Sequence, residues 1–284
     1  MRDTGCMATR GPIGTVTRGT TNTNRLRRVD RWIATLPVIR STDDPLVVDL
    51  GYGASGVTAL ELQQRLARTR PDVDVLGLEI EPNRVRTALA QLTEVRTGTT
   101  PFASDARVDF ALGGFEVPVA GDRRVAVIRA FNVLRQYEEA DVVGAWHRMV
   151  GRLQQDGVLV EGTCDEIGRV SSWVDLAVDG PRHLTISLRL EGLEVPSVVA
   201  ERLPKALIHR NIAGEPVHDL LTELDRQWRH ASPLAAYGPT QRWIASVEGL
   251  RAAGWPVRGG RTRWKLGEVT VDWAAVEPRG FAWR

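Results

Sequence analysis

The sequence predicts a doubly wound, mostly parallel α/β sheet with helices on both faces and a C-terminal strand and helix extension. Three observations predict it. Short, continuous apolar runs (LVVDL, VDVLGLE, RVAVIR, GVLVE) alternate with helix-length segments, as strands buried on both faces of a parallel sheet do. A glycine-rich turn, Gly51-x-Gly53-x-x-Gly56, lies between the first apolar run and the first long helical pattern. A second apolar run with an acidic end, VLGLEIEP from Val75 to Pro82, follows Asp49 at roughly thirty residues, the length of one strand-helix-strand unit.

The elements follow in order. Residues 1–24 are rich in Gly, Thr and Arg without an apolar period, and read as a flexible basic arm. From Arg25 to Leu36, Leu26, Val29, Ile33 and Leu36 recur at three- and four-residue steps, giving a short amphipathic helix with an arginine-covered back that Pro37 stops. Asp43-Asp44-Pro45 is a turn, and Leu46 to Leu50 the first buried strand. A helix from Val57 to Arg68, a strand from Val73 to Glu79 and a helix from Asn83 to Val95 come next. Val108 to Leu112 and Arg124 to Arg129 are strands, Glu138 to Leu153 a helix with apolar residues on one side, and Gly157 to Glu161 a strand. After residue 180, HLTISLRL from His183 to Leu190 alternates as a peripheral strand would. A proline-rich helical region and a last strand, Val269 to Trp273, complete the chain. The organisation expected is an arm (1–24), a nucleoside-binding core (25–180) and a C-terminal part (181–284) that completes the sheet and a substrate pocket, compact with the core. Trp255, Trp264, Trp273 and Trp283 crowd the tail and read as core or as pocket lining.

Composition narrows the classes. The 284 residues are 43% hydrophobic, enough for a substantial core, yet no run is long and apolar enough to span a bilayer. The N-terminus shows no apolar signal-peptide region, and Cys6 and Cys164 give neither a disulfide framework nor a metal-ligand spacing. A cytoplasmic location and no membrane contact are therefore expected. The five histidines form no metal-binding pattern, so no metal is expected. Net charge is +2, but residues 1–31 hold seven arginines against two aspartates, and the remaining chain is mildly acidic. Arg25, Arg27 and Arg28 thus offer a contact to RNA phosphate or an anionic substrate; the alternatives are that residues 19–32 fold over the mouth of the crevice as a lid, with Thr20, Thr21, Asn22, Asn24 and Arg25 as donors suited to a carboxylate, or form a plain surface helix. No feature of the sequence speaks to the oligomeric state.

Gly51 and Gly53 let the chain turn sharply and let a ligand approach the backbone. The same pattern fits a dinucleotide site, with pyrophosphate at the helix N-terminus. Asp49, two residues before the first glycine, argues against pyrophosphate by repulsion and favours a cationic ligand. Glu79, closing the second strand, suits ribose hydroxyls of either kind of cofactor.

Asp49-Leu-Gly51-Tyr52-Gly53-Ala-Ser55-Gly56, followed by Gly77-Leu-Glu79-Ile80-Glu81-Pro82, resembles the first two motifs of the class I S-adenosylmethionine-dependent methyltransferases. The resemblance covers roughly Leu46 to Val170. It implies a Rossmann-like fold and S-adenosyl-L-methionine as cofactor. Asp49, Gly51 and Gly53 would hold the methionine part, Glu79 the ribose, and Ile80 the adenine, with Tyr52 a further cofactor contact in the glycine turn. The sequence departs from the family at Ser55, where glycine is usual and where the hydroxyl offers a donor. It departs again after the third strand, where Gly113-Gly114-Phe115 replaces Gly-Asp, leaving adenine to backbone groups at Gly114 and to stacking on Phe115. Phe115 is equally readable as a core aromatic.

The strand ending at Arg129 leads into RAFNVLRQY, which puts Asn132, Arg135 and Tyr137 near the expected methyl group. Asn132 is a candidate for both cofactor contact and acceptor orientation, with a turn or cap as its plain reading. Tyr137 is a candidate hydrogen-bonding partner. Glu161, with Asp165 and Glu166 beyond it, is a candidate base at the end of the fifth strand. Methyl transfer from a sulfonium needs positioning more than a triad, so no triad is expected. The function expected is a methyltransferase with a small-molecule acceptor. The alternatives are an RNA methyltransferase using the basic arm, a nicotinamide-nucleotide oxidoreductase, and a binding protein that keeps the fold without activity. Ala130-Phe131-Asn132-Val133 lacks the N-P-P-aromatic motif common in enzymes that methylate base nitrogens.

Overall fold

A computed structural model describes residues 11–283. Residues 1–10, with Cys6 and the first part of the basic arm, and residue 284 lie outside the described residues. The elements are α1 (Arg27–Ile33), α2 (Pro37–Ser41), β1 (Leu46–Leu50), α3 (Val57–Leu66), β2 (Asp74–Glu79), α4 (Pro82–Arg96), β3 (Val108–Leu112), β4 (Val125–Phe131), α5 (Val142–Val150), β5 (Leu153–Cys164), β6 (Val170–Ala177), β7 (Gly180–Leu188), α6 (Lys205–Ile208), α7 (Pro216–His230), α8 (Pro239–Ala252), β8 (Val257–Arg258), α9 (Arg261–Trp264) and β9 (Glu268–Asp272).

These strands form a nine-stranded sheet in the order β3-β2-β1-β4-β5-β6-β7-β9-β8. The first five are parallel, with strand order reversing between β1 and β4. The remaining pairings are antiparallel. The parallel part is the doubly wound α/β fold that the apolar runs predict.

Parallel strands need a crossover of a dozen residues or more, and after Cys164 the chain has only a short turn before β6. Asp165 closes that turn. Its carboxylate accepts the N–H groups of Arg169 (2.7 Å) and Val170 (3.2 Å), while its own N–H donates to the Val170 carbonyl. Gly168, at φ +67°, supplies the left-handed residue. Asp165 is therefore a turn residue and not a loop-edge base. Leu153, expected as the last residue of a helix, begins β5, because α5 ends at Val150.

Alternate residues of the buried strands feed two cores. Val47, Val75 and Val127 pack under α1, α3 and α4 with Ile33, Leu62, Leu66 and Val95. Val48, Leu78 and Ile128 pack on the other face with Trp146 of α5, Leu220 and Leu224 of α7, and Trp243 of α8. The second core runs without a break into β6, β7 and β9, so the C-terminal part shares it with the parallel strands. Trp264 and Trp273 are buried there, and Trp255 and Trp283 pack on its edge, which answers the tryptophan question in favour of core. No helix among the described residues is long and apolar enough to cross a membrane.

Candidate functional site

Open parallel sheets bind ligands beyond the carboxyl ends of the strands where the strand order reverses. Here that point is the exit of β1 and β4. Gly51 takes φ +70°, and its N–H donates to the Leu78 carbonyl at 2.7 Å. A Cβ at Gly51 would stand 2.6 Å from Cγ2 of Val133, so the residue has to be glycine. Gly53 takes φ +89° and donates its N–H to Oε2 of Glu79 at 3.0 Å. The other Glu79 oxygen accepts from the N–H groups of Ile80 (2.9 Å) and Glu81 (3.3 Å) and lies 3.5 Å from Nη1 of Arg84. Glu79, 1% exposed, thus ties the glycine turn to the start of α4.

Asp49 reaches the same rim but is not a free anion. It is 2% exposed, and it pairs in register with Arg129 on the neighbouring strand. The Arg129 guanidinium, fully buried, donates to Asp49 through Nε (3.0 Å) and Nη2 (2.6 Å) and to Asp30 of α1 through Nη1. Thr58 of α3 donates its hydroxyl to Asp49 at 2.8 Å. Arg65 bridges Asp30 (2.5 Å) and Glu61 (3.2 Å). Burial works to lower the basicity of Arg129, but Asp30 and Asp49 more than offset it and hold the guanidinium charged. Three carboxylates, Asp30, Asp49 and Glu61, thus share two guanidinium groups beneath the rim, and burial raises the Asp30 pKa.

Two cavities meet at Gly51. The larger, about 590 Å³, is bordered by Asp49, Gly51, Tyr52, Gly53 and Thr58 on one side and Phe131, Asn132, Arg135, Arg202 and Glu166 on the other. The smaller has room for about 20 Å³, between Glu79, Ile80, Gly114 and Phe115 on the sheet side and residues 13–17 above them. Those residues form a strap. The Phe115 N–H donates to the Ile13 carbonyl at 2.9 Å, and the Ile13 N–H donates to Glu116 at 2.7 Å. The Thr15 N–H donates to the Tyr137 hydroxyl at 2.6 Å, and Arg84 donates to the Thr17 carbonyl at 2.6 Å. A Cβ on Gly14 would meet the Tyr137 hydroxyl at 2.8 Å and Ile80 at 3.4 Å, so Gly14 lies in the slot that Ile80 and Phe115 border.

The arm, described from Gly11 on, thus lies along the rim and is not a free tail. The expected site residues divide accordingly. Gly51 borders both cavities, and Asp49, Tyr52, Gly53 and Asn132 border the larger one. The Tyr52 ring itself packs edge-on against Phe110, with centroids 5.1 Å apart. Asn132 has φ +60°, a conformation that asparagine tolerates better than most residues. Its amide oxygen accepts the Cys164 N–H at 3.0 Å, so the side chain braces the exits of β4 and β5. Glu79, Ile80, Gly114, Phe115 and Tyr137 border the slot, where Tyr137 holds the strap. Phe115 joins both of its sequence readings, packing on the core and bordering the slot. Ser55 borders neither cavity.

Glu161 is a correction. It sits within β5 between Ala130 and Val174, fully buried and away from both cavities. Neither carboxylate oxygen has a hydrogen-bond partner among the described residues. Burial pushes its pKa up to about 8, against a weaker pull from the Trp146 indole.

The arginines of the basic arm are held by the chain itself. Arg25 donates to the carbonyls of Thr20 and Asp165, Arg27 to those of Asn24 and Ile167, and Arg28 to those of Gly168 and Leu266. These guanidinium groups staple the arm and α1 onto the β5–β6 turn and are not a free face for phosphates. Burial, then the charges of Arg31 and Arg27, lower the Arg28 pKa to about 10. Among the described residues, no group of three or more His, Cys, Asp or Glu could hold a metal ion.

Sequence reasoning missed Arg129, Asp30 and Arg65, and it missed Arg202. Arg129 did carry a signal, as the one charge inside the apolar run VAVIRAF, where burial demands a partner.

No family model matches the sequence. No curated protein matches it. Among solved structures, it is similar over part of its length to the mitomycin 7-O-methyltransferase MmcR, at 21% identity and a TM-score of 0.36, over 49% of this chain and 36% of that one. It is also similar to the magnesium protoporphyrin IX methyltransferase ChlM from Synechocystis PCC 6803 with bound SAH, at 16% identity, a TM-score of 0.37, and 49% and 54% of the two chains. A third is the glycopeptide N-methyltransferase MtfA, at 17% identity, a TM-score of 0.37, and 52% and 56%. The matched part therefore spans between about a third and somewhat over half of those chains.

Proposed function

We propose that this chain is an S-adenosylmethionine-dependent methyltransferase of the class I type, acting on a small-molecule acceptor. One observation carries the reading. The glycine turn, the carboxylate of Glu79 and the Asp49 network converge at the β1/β4 reversal, beside a cavity of about 590 Å³. That volume lies in the range of small-ligand sites, roughly 300–1,000 Å³. The Asp49 carboxylate at the rim suits a cationic sulfonium and amine, and disfavours the pyrophosphate of a dinucleotide beside it. The Ile80–Phe115 slot offers apolar faces and the Phe115 N–H for a purine edge.

The residues fit the methionine half as they stand. They fit the adenine half once residues 13–15 leave the slot, because Gly14 and the Ile13 carbonyl now fill it. When bound, S-adenosylmethionine would supply a methyl group already activated on sulfur. The chain's part is then to hold the acceptor in line and exclude water, which requires no triad. Phe131 and Asn132, at the exit of β4, border the cavity where the acceptor would sit, and the Asn132–Cys164 brace keeps that wall in place. Glu161 takes no part. The stapled arginines do not favour the RNA reading.

Calorimetric titration tests this reading. S-adenosylmethionine and its demethylated product, S-adenosylhomocysteine, should bind in the micromolar range and NAD should not. The titration is run on the full chain and on a chain without residues 1–18, so that the strap cannot hide binding. Failure of S-adenosylhomocysteine to bind either chain would remove the proposal.

A further inference from the structure

We propose that Arg135 and Arg202 form an oxyanion subsite in the larger cavity, so that the methyl acceptor is a small organic molecule bearing a carboxylate or phosphate. The inference rests on the function proposed above and deepens it.

The two arginines come from separate segments. Arg135 follows the exit of β4, and Arg202 precedes α6. Both are fixed from behind. Arg135 donates one Nη1 hydrogen to the Glu201 carbonyl at 2.7 Å. The Arg202 carbonyl accepts the hydroxyls of Thr163 and Ser172, each at 2.5 Å, which pins its backbone to β5 and β6. Both side chains border the cavity. Neither guanidinium is ion-paired among the described residues, although each stands close enough to the other for burial and the Arg202 charge to depress Arg135. The carboxylates nearby do not neutralise them. Asp49 is taken by Arg129, Glu166 is at the exposed mouth, and Glu201 is exposed beside Arg135 and only partly offsets its shift.

Like charges held together, partly out of water and without a counter-ion, cost free energy until an anion joins them. Elsewhere at this rim Asp30, Asp49 and Arg129 pair their buried charges with one another. Guanidinium forks match carboxylate and phosphate oxygens in pairs. The subsite adjoins Phe131 and Asn132 and is absent from the lining of the adenine slot, so it serves the acceptor's end of the site. Phe131 and Leu26, which also line the cavity, suit an apolar body behind the anion.

Ligand-observed NMR on the intact chain, saturated with S-adenosylhomocysteine, tests this with benzoate, phenyl phosphate and benzamide. Benzoate or phenyl phosphate should bind, and the preferred one identifies the oxyanion. Benzamide, neutral and of similar shape, should not bind. Arg135→Gln and Arg202→Gln should each weaken the preferred anion about tenfold, the loss of one charge-assisted contact. Arg202→Lys should give an intermediate value, and the distant surface change Arg148→Gln no effect. S-adenosylhomocysteine affinity should be unchanged in both glutamine variants, which also shows that they fold. Equal binding of benzamide, anion affinity independent of both arginines, or no anion binding would overturn the subsite. A drop in S-adenosylhomocysteine affinity in these variants would overturn it too, by assigning the arginines to the cofactor's own carboxylate. If S-adenosylhomocysteine fails to bind while the anions still depend on both arginines, the function proposed above falls and the subsite stands.

Discussion

Asp49 and Arg129 are in-register neighbours on the parallel strands β1 and β4, and their side chains form a buried ion pair directly beneath the rim of the larger cavity. The same carboxylate that borders the cavity therefore also anchors α1 and α3, through Asp30 and Thr58. Removing one partner of a buried pair leaves the other charge uncompensated and costs about 3–5 kcal/mol. Asp49→Ala should lower the denaturant midpoint sharply, and Asp49→Asn, which keeps an acceptor for Arg129, should lower it less. Equilibrium unfolding in urea measures both. An unchanged midpoint for Asp49→Ala would mean that the network does not hold the sheet to its helices. Loss of cofactor binding in Asp49→Ala alone is consequently no test of a contact, because stability falls with it.

Glu79 offers a cleaner probe of the crevice. Its carboxylate holds the Gly53 and Ile80 N–H groups and faces Arg84. Glu79→Gln keeps the shape but gives up one acceptor oxygen and the charge. S-adenosylhomocysteine affinity should fall about tenfold, with a stability loss of roughly 1–2 kcal/mol. Calorimetry alongside urea unfolding separates the two effects. A variant of normal affinity would take the ribose away from Glu79.

Glu161 carries a pH signature. Its folded pKa lies near 8, above the usual value of 4.5, because burial disfavours the charged form. A carboxyl shifted this way contributes stability that is fully present below pH 4.5, where both states hold the proton. As pH rises from 4.5 towards 8, the unfolded chain ionises and the folded chain does not, and that stability is lost at about 1.4 kcal/mol per unit. Glu161→Gln should remove this slope. The variant and the parent should be close in stability near pH 4 and diverge by several kcal/mol at pH 8, with the variant the more stable. Thermal unfolding across that range checks it. Parallel curves for the two proteins would show that Glu161 ionises freely in the folded chain.

Much of this was legible because it rests on period and punctuation. LVVDL followed by Gly51-x-Gly53, and VLGLE followed by Ile80-Glu81-Pro82, announce β1, α3, β2 and α4 through apolar runs, glycine and proline. The antiparallel half was less so. The strand β6, VSSWVDLA, hides because Ser171, Ser172 and Asp175 are buried polar residues, which break the apolar signature without breaking the strand. The role of Asp49 was half legible: its position at the rim follows from the strand, but its neutralisation depends on Arg129, many residues later, and no local pattern links them. A lid was legible from Gly19 on, but the strap at residues 13–17 was not, for a different reason. Ile13, Thr15 and Thr17 are held mainly through backbone groups, and such contacts leave no side-chain pattern to read.

That strap sets the last expectation. The Ile13 carbonyl occupies the Phe115 N–H, and Gly14 lies against Ile80 and the Tyr137 hydroxyl, the very groups a purine would use. Strap and adenine therefore compete for one slot, and the apparent affinity of the cofactor is reduced by the fraction of chains with the slot closed. Five hydrogen bonds hold residues 13–17, each with a net contribution of about 1 kcal/mol, set against the entropy of ordering the segment. Removing residues 1–18 should thus tighten S-adenosylhomocysteine binding by about tenfold or more. Tyr137→Phe, which loses the hydroxyl that binds both the N–H and the carbonyl of Thr15, should tighten it less. Adding S-adenosylhomocysteine to the intact chain should speed hydrogen exchange at Ile13 and Thr15, since their amides lose their acceptors when the strap lifts. Unchanged affinity on truncation would mean that the two do not compete. Weaker affinity would mean that the strap closes over the cofactor as part of its site, with Gly14 moving aside rather than out.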